Sequence, residues 1–455
     1  MFRAIVLLAA AALCASCGSS PTSSADTSAP VVVYEGARLI PGDGGPAIEN
    51  SSFSVQRGMI TRVGRKGELS GATRVDLSGK TVMPTLISTH VHPGFQKGLS
   101  YGAGNYTREV ILNDLNLALY YGVGVVMSQG IERGDLALQM RDEQIAGKLG
   151  GARLLVAGRG IGAPNAGPGA MAYKGIAYEV STEEQIRQAV REQAARKVNA
   201  IKIWVDDRGG RAPSLSPELS AAAADEAKKH NLRVSAHVYY HRDAVGLAAA
   251  KVDSFAHLVR DAVMDEPLLV AVIRNRVFVM PNMGGGERNT HVTPPGWWSE
   301  PYLVGLLKDT ASPEVIERMK GLFAPRDAKV VETVSRIYNN VHQNTRRLNE
   351  AGARIILGCD TGLPDHFFGY AEQRELELMA SAGMTTMEVI VAATSRGAEY
   401  LNLADSGVLA PGKRADFLVL DANPLDDIRN TRRIARTFIK GVEIDRAALK
   451  ASLIK

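Results

Sequence analysis

From residue 31 to about residue 82, short apolar runs alternate with turns rich in Gly and Asp. Residues 31–34, 53–55, 59–63 and 73–77 have the length and β-branched content of strands in an antiparallel sheet. Gly42-Asp43-Gly44-Gly45 and Arg57-Gly58 supply turns between them. From Met83 the texture changes to apolar runs separated by helical periodicity, the signature of βαβ units around a parallel sheet. One unit illustrates this. Residues 152–157 read as a strand, and Ser181 then opens a helix with a capping box to Glu184. Ile186, Ala189, Val190 and Ala194 fall on the apolar face of that helix, and residues 200–205 form the next strand. The alternation recurs at 82–89, 123–127, 234–238, 254–257, 277–280 and 354–357. Eight strands predict an α/β fold, a (β/α)8 TIM barrel, over residues 83–400. After Gly407 the short-strand texture returns at 416–420 and 437–441. The two ends, 31–82 and 401–455, are therefore expected to pair into a small β-sandwich-like domain.

Two segments break the pattern. His237 to His257 is an ordinary βα repeat, but Pro281 to Arg354 is far longer, which marks an insertion at about 283–330. It carries Gly284-Gly285-Gly286 and Trp297-Trp298, the composition of an ordered lid. At the N-terminus, Arg3 precedes an apolar stretch over 5–13 that is too short to span a bilayer. Leu13-Cys14-Ala15-Ser16-Cys17 resembles a bacterial lipobox, with Leu four rather than three residues before Cys17. Residues 1–16 thus read as a lipoprotein-type signal peptide, Cys17 as the site of lipid attachment, and 17–30 as a flexible tether. This predicts export to the bacterial periplasm, with the lipid anchor as the membrane connection; plain secretion is the alternative.

Composition narrows the class. With 45% hydrophobic and 22% charged residues among 455, disordered, collagen-like and coiled-coil chains are excluded. The net charge of +5 is spread without a basic stripe, so no nucleic-acid partner is expected. Cys14, Cys17 and Cys359 cannot build a disulfide framework or a cysteine zinc site.

The chemistry sits at strand ends. In His90-Val91-His92 the two imidazoles occupy positions i and i+2 of a strand, which share a face and can reach one metal ion. With nine histidines in the chain, the pair alone carries little weight. Lys202 adds more, because Ile201-Lys202-Ile203-Trp204-Val205 should be buried on both faces in a parallel barrel. An ammonium there is costly unless neutralised or paired. His237 and His257 each end a later strand, and Asp360 follows the last. All six lie at C-terminal strand ends, where this fold places its chemistry, and their nitrogen and oxygen donors suit Zn²⁺ or Mn²⁺.

Further segments accompany them: Met83-Pro84, Gly158-Arg159-Gly160-Ile161, Ala236-His237, Phe255-Ala256-His257 and Gly358-Cys359-Asp360-Thr361-Gly362. The tail Gly407-Val408-Leu409-Ala410-Pro411-Gly412-Lys413-Arg414-Ala415-Asp416 completes the set. Together they resemble the amidohydrolase superfamily, specifically its imidazolonepropionase-like and dipeptidase-like members. The resemblance implies a metal-dependent hydrolase acting on an amide-type C–N bond of a small molecule, through a hydroxide bridging two metals. The substrate classes are a dipeptide, an N-acyl amino acid or a cyclic amide. It further implies one divalent ion, zinc or manganese, on His90, His92 and Asp360, and a second on His237 and His257. Lys202, carboxylated by CO2, would bridge them, and Asp360 would carry the proton. Ser88 departs from the pattern, standing where many relatives have an acidic residue. The alternatives are a mononuclear deaminase using His90, His92, His237 and Asp360, or a non-catalytic binding lipoprotein. Metal identity and oligomeric state, a homo-oligomer included, stay open at this point.

Loop residues give weaker signals. Arg159, Tyr239, Tyr240, His241, Trp297 and Trp298 are candidate substrate contacts, each with a packing role as the competing reading. Asp206-Asp207-Arg208 reads as a salt-bridged turn, and Cys359 as inert packing. The glycines after Ala157 lack dinucleotide-fingerprint spacing, and Pro164 and Pro168 oppose the helix such a motif needs.

Overall fold

The computed structural model describes residues 29–169 and 173–454; the signal segment, Cys17 and most of the tether lie outside them. Val32–Glu35 pairs antiparallel with Ser51–Gln56, which returns through Arg57-Gly58 into Met59–Arg65. Thr73–Asp76 adds in parallel to the other edge of Val32–Glu35. A second sheet sets Phe417–Leu420 between Thr81–Pro84 and Ile434–Ile439, both antiparallel. C-terminal strands thus complete a sheet begun near the N-terminus. Between the two sheets Tyr34 stacks on Phe53 at 5.1 Å and Phe417 on Phe438 at 4.4 Å. The two pairs meet edge to face, the arrangement that ring quadrupoles favour.

The run 82–89, expected as one strand, is two. Thr81–Pro84 belongs to the terminal sheet and Leu86–Val91 to the parallel one. The change falls at Pro84, which has no N–H to continue a ladder. The next amide, Thr85, donates to the Asp416 carbonyl (3.1 Å), and Leu86 donates to Gly122 (2.9 Å).

Leu86–Val91, Val123–Ser128 and Arg153–Val156 form one parallel sheet. Ile201–Val205, Val234–Val238, Ser254–Phe255, Phe278–Val279 and Arg354–Ile355 follow in order in another. Hydrogen bonds join the two at both ends. Asn199 donates to Val156 (2.8 Å); on the other side Thr89 donates to Leu357 (2.8 Å) and His92 to Thr361 (2.6 Å). The last strand end therefore lies beside the first, and Asp360 beside the histidine pair.

Glu183–Ala195 buries Ile186, Ala189 and Val190, as its periodicity predicts. Its cap is Thr182 rather than Ser181, because Thr182 takes the extended conformation an N-cap requires. The Thr182 hydroxyl accepts from the Gln185 amide (3.3 Å), and the Gln185 side chain accepts from the Thr182 amide (3.2 Å). After the third strand, a Cβ on Gly160 would fall 2.1 Å from the Trp204 ring, so only glycine fits there. The insertion is helical, with Met283–Glu287, Pro301–Thr310 and Pro313–Gly321, and is followed by the long helix Ala328–Glu350 that leads into the last strand. Among the described residues, no helix is long and apolar enough to cross a membrane.

Candidate metal centre

His90, His92, Lys202, His237, His257 and Asp360 all line one cavity of about 160 Å³. His90 Nε2 and His92 Nε2 lie 3.2 Å apart, and Asp360 Oδ1 is 3.3 Å from the first and 2.8 Å from the second. His257 Nε2 lies 3.9 Å from Asp360 Oδ2. Donor atoms of His90, His257 and Asp360 sit within 4.8 Å of one another, close enough to share an ion. Nδ1 of His90 donates to the Ala256 carbonyl (2.9 Å), which leaves its Nε2 lone pair for the site. Burial pushes His90 and His257 well below the usual imidazole range, so both rings are neutral, the ligating form. For Asp360 burial acts the other way, but the surrounding imidazoles outweigh it and hold the carboxyl well below its ordinary value.

His237 donates from Nε2 to Asp206 (3.2 Å), leaving Nδ1 as its available donor atom. Lys202 is 1% exposed, and its Nζ has no hydrogen-bond partner among the described residues. Burial lowers its ammonium to about 7. An orphaned amine among neutral imidazoles and an ionised carboxylate is a donor set that fits divalent metal.

The backbone explains the convergence. Asp360 has φ +57, a left-handed turn that swings its side chain off the last strand toward the histidines. A Cβ on Gly362 would lie 2.1 Å from the His92 carbonyl oxygen, so this close approach requires glycine. Ser88 Oγ donates to Glu372 (2.9 Å), and Thr361 Oγ1 donates to the same oxygen (2.7 Å). Glu372, on the helix Tyr370–Ser381, thus ties the His90 strand to the Asp360 turn.

A model of the amidohydrolase family matches residues 81–444. The chain belongs to this family. Its members are generally metal-dependent. This amidohydrolase is 21% identical to the enamidase of Eubacterium barkeri over 420 residues, 90% of this chain and 91% of the relative. An imidazolonepropionase of Deinococcus deserti is 39% identical over 87 residues, which span 19% of this chain and only 22% of that relative's length. A solved structure described as a candidate prolidase from Bifidobacterium longum superposes with a TM-score of 0.72 at 27% identity, covering 93% and 98% of the two chains. A Xaa-Pro dipeptidase with bound methionine gives a TM-score of 0.71 at 22% identity, covering 91% and 99%. These likenesses imply the TIM-barrel fold that the strand count predicts.

Among the six candidate substrate contacts of this amidohydrolase, Tyr239 lines a cavity of about 280 Å³ that adjoins the metal centre. The others are engaged elsewhere. Arg159 donates to the Ile176 carbonyl (2.7 Å) and covers the Tyr178 ring at 4.0 Å. Tyr240 packs under Arg242 at 4.5 Å, and His241 pairs with Asp265 (3.1 Å). Trp297 and Trp298 pack on Phe323 inside the insertion, at 5.7 and 5.4 Å. Asp206 pairs with Arg208 (3.0 Å) as a turn residue would, yet it also orients His237. Cys359 is fully buried and its thiol is pushed well above the usual range, so it packs rather than attacks.

Tyr173 and Asn282 are among the residues beside the metal centre that carry no sequence signal. Tyr173 lines the cavity with its ring 6.2 Å from His92 and its hydroxyl bonded to Tyr101. Asn282, at φ +50, donates to the Ala256 carbonyl (2.7 Å), and its amide nitrogen sits 2.8 Å from His257 Nδ1 and 3.1 Å from His90 Nδ1. Asn tolerates that left-handed conformation better than most residues. Asn282→Ala is expected to weaken metal affinity about 10–100-fold, the usual cost of losing an outer-shell partner. Chelator competition measures this, with circular dichroism as the control for folding.

Proposed function

We propose that this protein hydrolyses an amide-type C–N bond of a small molecule, such as a dipeptide, an N-acyl amino acid or a cyclic amide. The observation that carries the reading is the gathering of three kinds of donor, four imidazoles, one carboxylate and the orphaned Lys202 amine, around a single cavity. His90, His92 and Asp360 would hold one divalent ion, zinc or manganese, and His237 and His257 a second. Lys202 suits the bridging role, because a neutral amine can attack CO2, lose a proton and become an anionic carbamate. Bound metal would polarise the scissile carbonyl and acidify the attacking water. Asp360, whose side chain is 20% exposed toward the cavity, accepts the proton of that water and returns it to the leaving nitrogen. Asp206 holds His237 in one ring orientation, and Asn282 packs against His257 while donating to the Ala256 carbonyl that also accepts from His90.

The compact trio His90, His257 and Asp360 supports a second reading with one ion and deaminase chemistry, although it puts His257 where the mononuclear alternative has His237. Elemental analysis of protein purified without chelators, combined with dipeptide and N-acyl amino acid assays, separates the two. About two ions per chain with amide cleavage is the expected result. About one ion with ammonia release favours the deaminase, and no ion after adding Zn²⁺ and bicarbonate overturns both.

A further inference from the structure

We propose that Arg260 binds a free carboxylate of the substrate, so that the amides cleaved are N-acyl amino acids or dipeptides with an apolar C-terminal side chain. This rests on the amide-hydrolysis reading above.

The backbone of Arg260 is fixed on both sides. Its amide donates to the Tyr239 carbonyl (2.9 Å), and its carbonyl accepts from Asn340 of the long helix Ala328–Glu350 (2.9 Å). Its guanidinium is different. Among the described residues it makes no hydrogen bond or ion pair, and Nη2 is fully buried without a partner. Its charge is stabilised at longer range by the Asp360 carboxylate, and the Tyr239 ring lies 5.2 Å from Cζ.

The other arginines on these cavity walls are committed. Arg208 pairs with Asp206 (3.0 Å), and Arg288 donates to the Pro364 carbonyl (2.6 Å). Asp360 and Asp206 stabilise this charge only from a distance and without an ion pair, so a ligand that brings an anion into contact would offset the cost of burying it. The guanidinium fork matches a carboxylate with two parallel hydrogen bonds, which a lysine cannot reproduce.

Position decides which carboxylate. Arg260, His257 and Asp360 line both the metal-centre cavity and the adjoining one of about 280 Å³. Beyond Arg260 the second cavity is walled by Val334, Ile337, Tyr338 and Val341 of the helix Ala328–Glu350. A substrate whose amide meets Asp360 would set its carboxylate on Arg260 and its side chain against that apolar wall.

The test reads binding, not turnover. The metal-loaded full chain is titrated by calorimetry with 3-phenylpropionate and with its neutral isostere 3-phenylpropionamide. Wild type is expected to favour the carboxylate by about tenfold or more, the scale of a charged hydrogen-bond pair. Arg260→Met is expected to erase that preference at unchanged metal content, and Arg260→Lys to keep part of it, which separates anion recognition from lost packing. Equal binding of acid and amide to wild type, or an intact preference in Arg260→Met, overturns the proposal; the latter would put the carboxylate on the metals. Because no turnover is needed, the two readings fail separately. Dipeptide cleavage without a carboxylate preference refutes only the Arg260 assignment, and a preference without cleavage refutes only amide hydrolysis.

Discussion

Lys202→Met is expected to lower kcat/KM on any amide substrate by about 10³-fold or more, while the metal-free protein becomes no less stable. The loss follows from the role proposed for Lys202: if it is a ligand shared by two ions, removing it would forfeit several kcal/mol of charge stabilisation, and each 1.4 kcal/mol is about tenfold. The stability half follows from the surroundings of the side chain. A Cβ on Gly130 would sit 2.7 Å from Lys202 Cβ and Cγ, so the lysine stem is tightly packed and a stem of similar length is needed to fill its place. Methionine provides that stem without an amine that is buried and unpartnered. A structural lysine would behave oppositely, with its loss lowering the melting temperature and sparing the metals. Elemental analysis, thermal unfolding with and without metal, and steady-state kinetics distinguish the two. Two bound ions and wild-type turnover in the variant would remove Lys202 from the site.

What can be read from the sequence depends on contrast with the surroundings. Lys202 stands out because a polar group interrupts a run buried on both faces, where every other position is apolar, and His90 because it pairs with His92 at the end of a buried strand. Asp360 stands out because it follows such a run. Asn282, Arg260 and Glu372 have no such contrast, since polar residues are ordinary in loops and on helices. Their meaning comes from contacts that the fold makes across the chain: Glu372 meets Ser88 from 284 positions away, and Asn282 meets His90 from 192. The run 82–89 misleads for the same reason, because two strands of different sheets adjoin with only Pro84 to mark the join. In the insertion, glycines and prolines suggest irregular chain, yet Pro301 and Pro313 each start a helix at its first position, where a missing N–H costs nothing.

Asp360→Asn is expected to lower kcat by about 10²–10⁴-fold, the range for losing a general acid–base group, while retaining most of the bound metal. The substitution is close to isosteric, and the backbone tolerates it: at φ +57 a β-branched or bulky residue would strain the turn, whereas Asn is at home there. One side-chain oxygen remains to face His92 and His90, so ligation is weakened rather than abolished. What disappears is the ability to accept a proton from water and hand it to the leaving nitrogen. Asp360→Ala removes the oxygen as well, so it should lose metal together with activity. Comparing the two variants by elemental analysis and single-turnover kinetics therefore separates proton transfer from ligation. If Asp360→Asn turned over at the wild-type rate, the proton would have to travel by another group. Among the described residues lining the cavity, Tyr173 is the candidate, because its hydroxyl can donate while the imidazoles hold metal.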